Sequence, residues 1–167
     1  MASRGSLIGR TAVVITASDR CAAGTQVDAS GPAVARTLTE AGAEVLDQVI
    51  VPDERELLIT ALRAAAGRAE LVVTTGGTGL AARDVTPEAT LAVCDRLVPG
   101  LPELIRAEGA RQTPFAALGR GVCGVAGNAL VINLPGSPAG AESALKTALP
   151  LLPHALELLA GRTEHGS

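Results

Sequence analysis

Tryptophan and tyrosine are absent from this 167-residue chain, and phenylalanine occurs once, as Phe115. Aromatic platforms on which bases could stack are therefore missing, and the core has to be built from aliphatic side chains. Positive charge is equally sparse. Fourteen Lys and Arg stand against seventeen Asp and Glu, a net charge of −3, and the only lysine is Lys146, so no basic footprint exists to hold a polyanion. Nucleic acid is not expected as a partner. The three cysteines, Cys21, Cys94 and Cys123, are odd in number and lack C-x-x-C spacing, and neither His154 nor His165 stands at metal-site spacing from them. They read as reduced, buried thiols, with no zinc site. No apolar run approaches the ~20 residues that cross a bilayer, and the opening MASRGSLIGR has no apolar centre of a secretory signal. A cytoplasmic protein without membrane contact is the expectation.

What the chain does have is aliphatic bulk: 47% of its residues are hydrophobic and 19% charged, a balance that folds. Its length suits one domain. Val- and Ile-rich runs at Ala12–Thr16, Val45–Val51, Leu71–Val73 and Leu130–Leu134 have the character of strands covered on both faces. Between them, 31–41 and 54–66 carry apolar residues at helical spacing. Strands over 11–17, 44–51, 70–75, 121–125 and 129–134 alternate with helices that include 87–95, 101–111 and 138–160, the last threatened by Pro150 and Pro153. This alternation predicts an α/β fold with a mostly parallel sheet and helices on its faces. Residues 1–10 are expected to be a flexible N-terminus, 11–161 the domain, and 162–167 a frayed tail.

In open α/β sheets ligands gather outside the carboxyl ends of the strands, where the unusual residues of this chain fall. Leu71–Thr75 runs directly into Gly76–Gly77–Thr78–Gly79. Glycines there let the backbone turn tightly and bring its N–H groups to an anion without a Cβ in the way. No Gly-Lys-Ser/Thr follows, so this is neither a Walker A loop nor a dinucleotide fingerprint; a plain change of direction is the simpler alternative. Thr86 with Pro87 behind it suits a helix cap, and Glu88 suits the dipole of that helix. Pro135–Gly136–Ser137–Pro138 provides a second capped helix start with free N–H donors.

Asp53 and Asp84 lie at the same predicted edge. Magnesium takes one or two carboxylates plus phosphates and waters, and this pair would suit it, although Asp53 is equally placed as a helix cap and Asp84 as a partner for Arg83. The first loop, Ala17 to Pro32, is long for a βα connection. Ser18 and Asp19 leave the strand there, and Ser30 suits the cap of the next helix. Arg83 and Arg120 are candidate anion clamps.

Taken together, V-T-T-G-G-T-G (73–79), R-D-V-T-P-E-A-T (83–90), T-P-F (113–115), G-V-C-G-V-A-G (121–127) and I-N-L-P-G-S-P (132–138) resemble the molybdenum cofactor biosynthesis family. Mog, MoaB, the G-domains of plants and animals such as that of gephyrin, and a domain of MoeA belong to it. The similarity runs from about Thr11 to Leu159, and the V-P-D-E and R-D-V-T-P segments are more similar to the Mog and G-domain branch.

The resemblance implies a three-layer α/β/α molybdopterin-binding domain that forms homotrimers. It further implies Mg-ATP-dependent adenylylation of molybdopterin, with release of pyrophosphate and hand-over to a molybdate-inserting protein of the MoeA type. On that basis Asp53 and Asp84 correspond to the essential acids and hold Mg²⁺. Ser18, Asp19, Thr75, Gly76, Gly77, Thr78, Gly79, Arg120, Pro135, Gly136 and Ser137 bind ATP and molybdopterin. Gly119 stands where many members have serine, Ala126 where many have arginine, and Gly109 where some have serine. Gly119 and Ala126 keep a non-catalytic molybdopterin carrier of the MoaB kind open as the alternative, with a pterin-independent nucleotide-binding module more remote.

Overall fold

Alternation along Thr11–Ala17 (β1) sends Ala12 and Val14 to one face of a sheet and Val13 and Ile15 to the other, and all four are buried. In the computed structural model, which describes residues 5–162, this strand is followed by α1 (Asp19–Ala22), α2 (Ser30–Glu40), β2 (Glu44–Val51), α3 (Arg55–Ala66), β3 (Leu71–Thr75), α4 (Thr86–Val93) and β4 (Arg96–Leu97). Then come α5 (Gly100–Ala110), a 3₁₀ turn at Pro114–Leu118, β5 (Cys123–Ala126), β6 (Ala129–Leu134), α6 (Pro138–Ala148), a second 3₁₀ turn at Leu149–Leu151 and α7 (Leu152–Leu159). The strand order is β2-β1-β3-β6-β5-β4. The first four strands are mutually parallel; β5 runs antiparallel to β6, and β4 antiparallel to β5. The carboxyl ends of β1, β2, β3 and β6 therefore share one edge.

Two aliphatic layers sandwich the sheet. On one side Val34 and Leu38 of α2, Leu101 of α5, Leu145 of α6 and Leu152 and Leu156 of α7 pack on Val14, Val73 and Ile132. On the other, Leu58, Ile59, Leu62 and Ala65 of α3 and Ala89 of α4 pack on Val13, Ile15, Val72 and Val131. This is the expected α/β/α arrangement with a mostly parallel sheet. Burial of so many aliphatic side chains, each contributing about 1.5–3 kcal/mol when fully removed from water, serves in place of aromatic residues.

Several expectations are corrected. Of the segment expected to be flexible, 1–4 lies outside the described residues, and Leu7 is fully buried with its N–H donating to the Ala41 carbonyl at 2.7 Å, while Ile8 and Gly9 are exposed. Of the expected frayed tail, 163–167 lies outside the described residues. β2 is an edge strand with Leu46 and Ile50 exposed, not a strand covered on both faces. A register shift opposite Ala12 and Val13 interrupts its pairing with β1. The C-terminal helix is divided at Leu149–Leu151, where Pro150 has no N–H to continue it. Of the cysteines only Cys123 is fully buried.

Candidate active site

The chain leaving β1 and the turn between β2 and α3 are tied to each other at the carboxyl edge by their aspartates. The Asp19 N–H donates to Asp53 Oδ2 at 3.0 Å, and the Asp53 N–H donates to Asp19 Oδ1 at 3.0 Å. Asp53 is therefore not a helix cap: α3 is preceded by Glu54, and no side chain caps it. Arg83 reaches across from the glycine loop and clamps Asp19 with Nε and Nη2 at 2.5 and 2.9 Å. Arg83 thus pairs with Asp19 and not with its neighbour Asp84. That guanidinium holds the Asp19 carboxyl below its ordinary range. Asp53 moves the opposite way, pushed up first by burial and then by the negative charges of Asp19 and Asp84, against the lowering bond from the Asp19 N–H.

The glycine loop approaches these acids at positive φ. Gly76 (φ +90) has its α-carbon so near β1 that a Cβ would lie 2.3 Å from the Ala17 carbonyl oxygen, a backbone atom that cannot move aside. Above Gly77 (φ +68) the point a Cβ would occupy is 2.2 Å from Thr86 Oγ1 and 3.1 Å from Asp53 Oδ1. Both oxygens are buried and without a hydrogen-bond partner. Orphaned buried oxygens cost free energy, and two of them flanking Gly77 at the carboxyl edge suit a hard cation as partner. No cluster of three or more His, Cys, Asp or Glu that could hold a metal is present among the described residues, so a cation at Asp53 has to draw further ligands from substrate and water. Asp84 sits in the same loop, its Oδ2 accepting from the Ala81 N–H at 3.0 Å.

Thr86 does not cap α4. It is the first helical residue, its N–H donates to the Gly77 carbonyl at 3.1 Å, and its hydroxyl faces the loop. Ser30 likewise opens α2 without capping it. Asp28 does that work, accepting from the Gly31 N–H at 3.0 Å and from Thr16 Oγ1 at 2.7 Å.

Arg120 holds the far side of the loop. Its Nε donates to the Gly79 carbonyl at 2.8 Å and Nη2 to the Asp84 carbonyl at 2.7 Å, while Nη1 pairs with Glu88. Three of its donors are engaged by the protein, which makes positioning its visible task. The pairing lowers the Glu88 carboxyl below its ordinary range.

Other sequence candidates are structural in their side chains. Thr75 Oγ1 donates to the Pro135 carbonyl at 2.8 Å. Ser18 Oγ caps α1 and Ser137 Oγ caps α6, accepting from the N–H groups of Cys21 and Gly140. Gly136 packs on the Gly76 α-carbon, 3.2 Å from the place of its absent Cβ, which brings the two anion-friendly loops side by side.

A cleft of about 520 Å³ opens between α5 and α6, beside this loop. Thr78 and Gly79 reach it from the glycine loop, Pro135 and Ser137 from the end of β6, and Phe115, Leu118 and Gly119 from the 3₁₀ segment. Its floor includes Asn133, a buried polar residue that pattern reading overlooks because it sits inside an apolar run. Asn133 Nδ2 donates to Thr74 Oγ1 and Thr90 Oγ1, each at 2.9 Å, and its Oδ1 accepts from the Val122 N–H at 3.1 Å. Thr90 Oγ1 in turn donates to the Thr86 carbonyl. A polar side chain in the middle of I-N-L was the available signal.

Of the three departures in sequence, Gly119 lines the cleft and Gly109 faces it from α5. Ala126 does not. Because β5 is reversed, Ala126 pairs with Ala129 at the opposite edge of the sheet and is buried in the second aliphatic layer. The absence of an arginine there removes no contact from this site.

A parallel sheet whose carboxyl edge gathers paired acids, a positive-φ glycine loop and a deep cleft defines an α/β ligand-binding domain. Residues 13–154 match the family model described as "Probable molybdopterin binding domain". The molybdopterin adenylyltransferase of Helicobacter pylori strain J99 is 40% identical over 152 residues, covering 89% of this chain and 86% of the relative. The Drosophila melanogaster molybdenum cofactor synthesis protein cinnamon is 44% identical over 150 residues, but this chain spans only 25% of its length. Among solved structures, MoaB of Thermus thermophilus has 47% identity and a TM-score of 0.86, with 91% of this chain and 97% of that one covered. Mog of Mycobacterium ulcerans has 41% identity and a TM-score of 0.85, with 90% and 99% covered. The chain belongs to the molybdenum cofactor biosynthesis family. No helix among the described residues is long and apolar enough to cross a membrane.

Proposed function

We propose that this protein is a molybdopterin adenylyltransferase that joins AMP from Mg-ATP to the terminal phosphate of molybdopterin. The observation that carries the reading is the orphaned Asp53 Oδ1, buried beside Thr86 Oγ1 at the turn of the glycine loop. Asp53, with Asp84 beside it, would hold Mg²⁺, which neutralises phosphate charge when bound. The backbone N–H groups of Gly77, Thr78 and Gly79 and the start of α6 receive phosphate oxygens, while that of Gly76 is spent on the Leu134 carbonyl. The cleft between α5 and α6 takes the pterin and aims its phosphate at the loop.

In the transfer, an oxygen of the molybdopterin phosphate bonds to the α-phosphorus of ATP while the bond to the bridging oxygen breaks, and pyrophosphate leaves. Such a step asks for position and charge neutralisation, not for a protein nucleophile. The thiols are unsuited to the part: burial pushes Cys94 up to about 11 and Cys123 up to about 12.

The same reading makes the molecule a cytoplasmic homotrimer, an assembly that exposed aliphatic residues such as Leu46, Ile50 and Leu57 would suit. Its product passes to a molybdate-inserting protein of the MoeA type. Gly119 in the cleft wall favours one competing reading, a carrier that binds pterin without modifying it.

The deciding experiment follows adenylylated pterin and pyrophosphate from purified protein, molybdopterin, Mg²⁺ and ATP. Turnover that Asp53→Ala and Asp84→Ala reduce by roughly a hundredfold or more, the scale on which lost transition-state charge stabilisation acts, is expected. Tight pterin binding with no adenylylated product would establish the carrier instead.

A further inference from the structure

Two helices wall the cleft with faces of matching period. From α5 come Pro102, Ile105, Arg106 and Gly109, and from α6 come Gly140, Ser143, Ala144 and Thr147. Both sets follow i, i+3, i+4, i+7, the spacing of one helical face. A face turned to a cleft of apolar and small neutral residues is an unfavourable place for a charge. Arg106 is nevertheless there, and it is the only charged side chain among the described residues that line the cleft.

Its environment leaves that charge uncompensated. Nη1 donates to the Gly121 carbonyl at 3.0 Å, which fixes the half-buried guanidinium against the loop preceding β5. The ion pairs of the described residues include none to Arg106, although Glu103 stands one turn earlier on the same helix. On the next turn Arg111 is matched with Glu108. The other arginines around the site, Arg83 and Arg120, are matched with Asp19 and Glu88. Arg106 is thus a cation anchored by one donor, with its remaining N–H groups unspent, in a cleft that contributes no negative charge of its own.

We infer that Arg106 is a specificity-determining residue whose guanidinium receives the phosphate monoester of the pterin that occupies this cleft. A guanidinium matches phosphate oxygens in geometry as well as charge, and Thr78 and Gly79 of the glycine loop and Ser137 before α6 line the same cleft. The inference rests on the proposed occupation of the cleft by a pterin, and it adds that the protein selects phosphorylated over neutral pterins by a contact on α5, apart from Asp53 and Asp84.

Equilibrium binding of two fluorescent probes, 6-hydroxymethylpterin and its phosphate monoester, tests this without ATP, metal or turnover. The unmodified protein should bind the phosphate ester more tightly by roughly tenfold to a hundredfold, the range of one charge-assisted hydrogen-bonded contact. Arg106→Met, which keeps an unbranched apolar stem, should erase that preference while leaving affinity for the neutral probe within about twofold. Arg106→Lys should restore part of it, and Arg63→Met, on an exposed face of α3, should leave it intact. A circular-dichroism melt of each variant separates loss of fold from loss of contact. If Arg106→Met is folded and still prefers the phosphate ester as strongly as the unmodified protein does, the inference is overturned. Equal binding of both probes by the unmodified protein also overturns it. If neither probe binds, the pterin reading of the cleft fails first.

Discussion

On the proposed function, Asp53 is the residue at which stability and activity oppose one another. Burial raises its carboxyl above the ordinary range, so folding favours the neutral acid. Its contribution to stability is complete below the ordinary carboxylate value of 3.8 and is lost as pH rises through the raised value. At neutral pH the charge is a cost, retained with one oxygen unpartnered. Asp53→Asn keeps an acceptor for the Asp19 N–H and removes the charge. It should therefore melt a few degrees higher than the unmodified protein at pH 7, with the advantage shrinking as pH approaches 3.8, while adenylylation is lost; paired melts across pH check this. Stabilisation by removing a strained functional group is a known trade-off. Asp19 has the reverse sign: its lowered carboxyl supports the fold above the ordinary value and loses that support only in strong acid.

At the level of elements, the glycine loop is rigid for reasons outside its own sequence. Arg120 fastens the carbonyls of Gly79 and Asp84, and Thr86 fastens that of Gly77. Arg120→Met should leave the sheet and both aliphatic layers intact, because its contacts are local and half-exposed. It should release the loop, so that kcat falls by roughly tenfold or more, as misplacement of reacting groups by a fraction of an ångström allows, while thermal stability falls by no more than about 1–2 kcal/mol. Steady-state kinetics beside a melt tell the two apart. Most of these elements were legible in the chain, since the strand–helix alternation, the glycine loop and the placement of Asp53 and Asp84 follow from periodicity and the edge rule for parallel sheets. What was hidden is what pattern does not encode. α1 and β4 are too short to show a period, and the packing of Leu7 depends on a turn far along the chain; the reversal of β5, which removes Ala126 from the site, is signalled only by the two-residue Gly127–Asn128 connection to β6. Asp28, Glu88 and Thr86 carry out positioning that capping rules assign to Ser30 and Thr86 in another form.

On the scale of the whole molecule, the sheet separates two aliphatic layers, and one thiol marks each. Cys123 lies in the layer under α6 and α7, and Cys94 packs against the layer under α3 and α4. With the thiols pushed up to about 12 and about 11, their thiolate fractions are far too small for ready alkylation at pH 8. Iodoacetamide labelling along a urea series should therefore find both silent in the native protein and reactive at one common midpoint, as a single cooperative unit requires. Two separate midpoints, read by mass spectrometry of the peptides, would show that the layers open independently.

The bonds of Asn133 lie on the α4 side of this sheet. They join β3, β6, α4 and the approach to β5, and through Thr90 and Thr86 they reach the turn of the glycine loop. A residue that lines the cleft is thus also a keystone for the loop next door. A guest in one compartment and a guest in the other then draw on one shared framework, and any help that the first gives the second must be returned by the same factor.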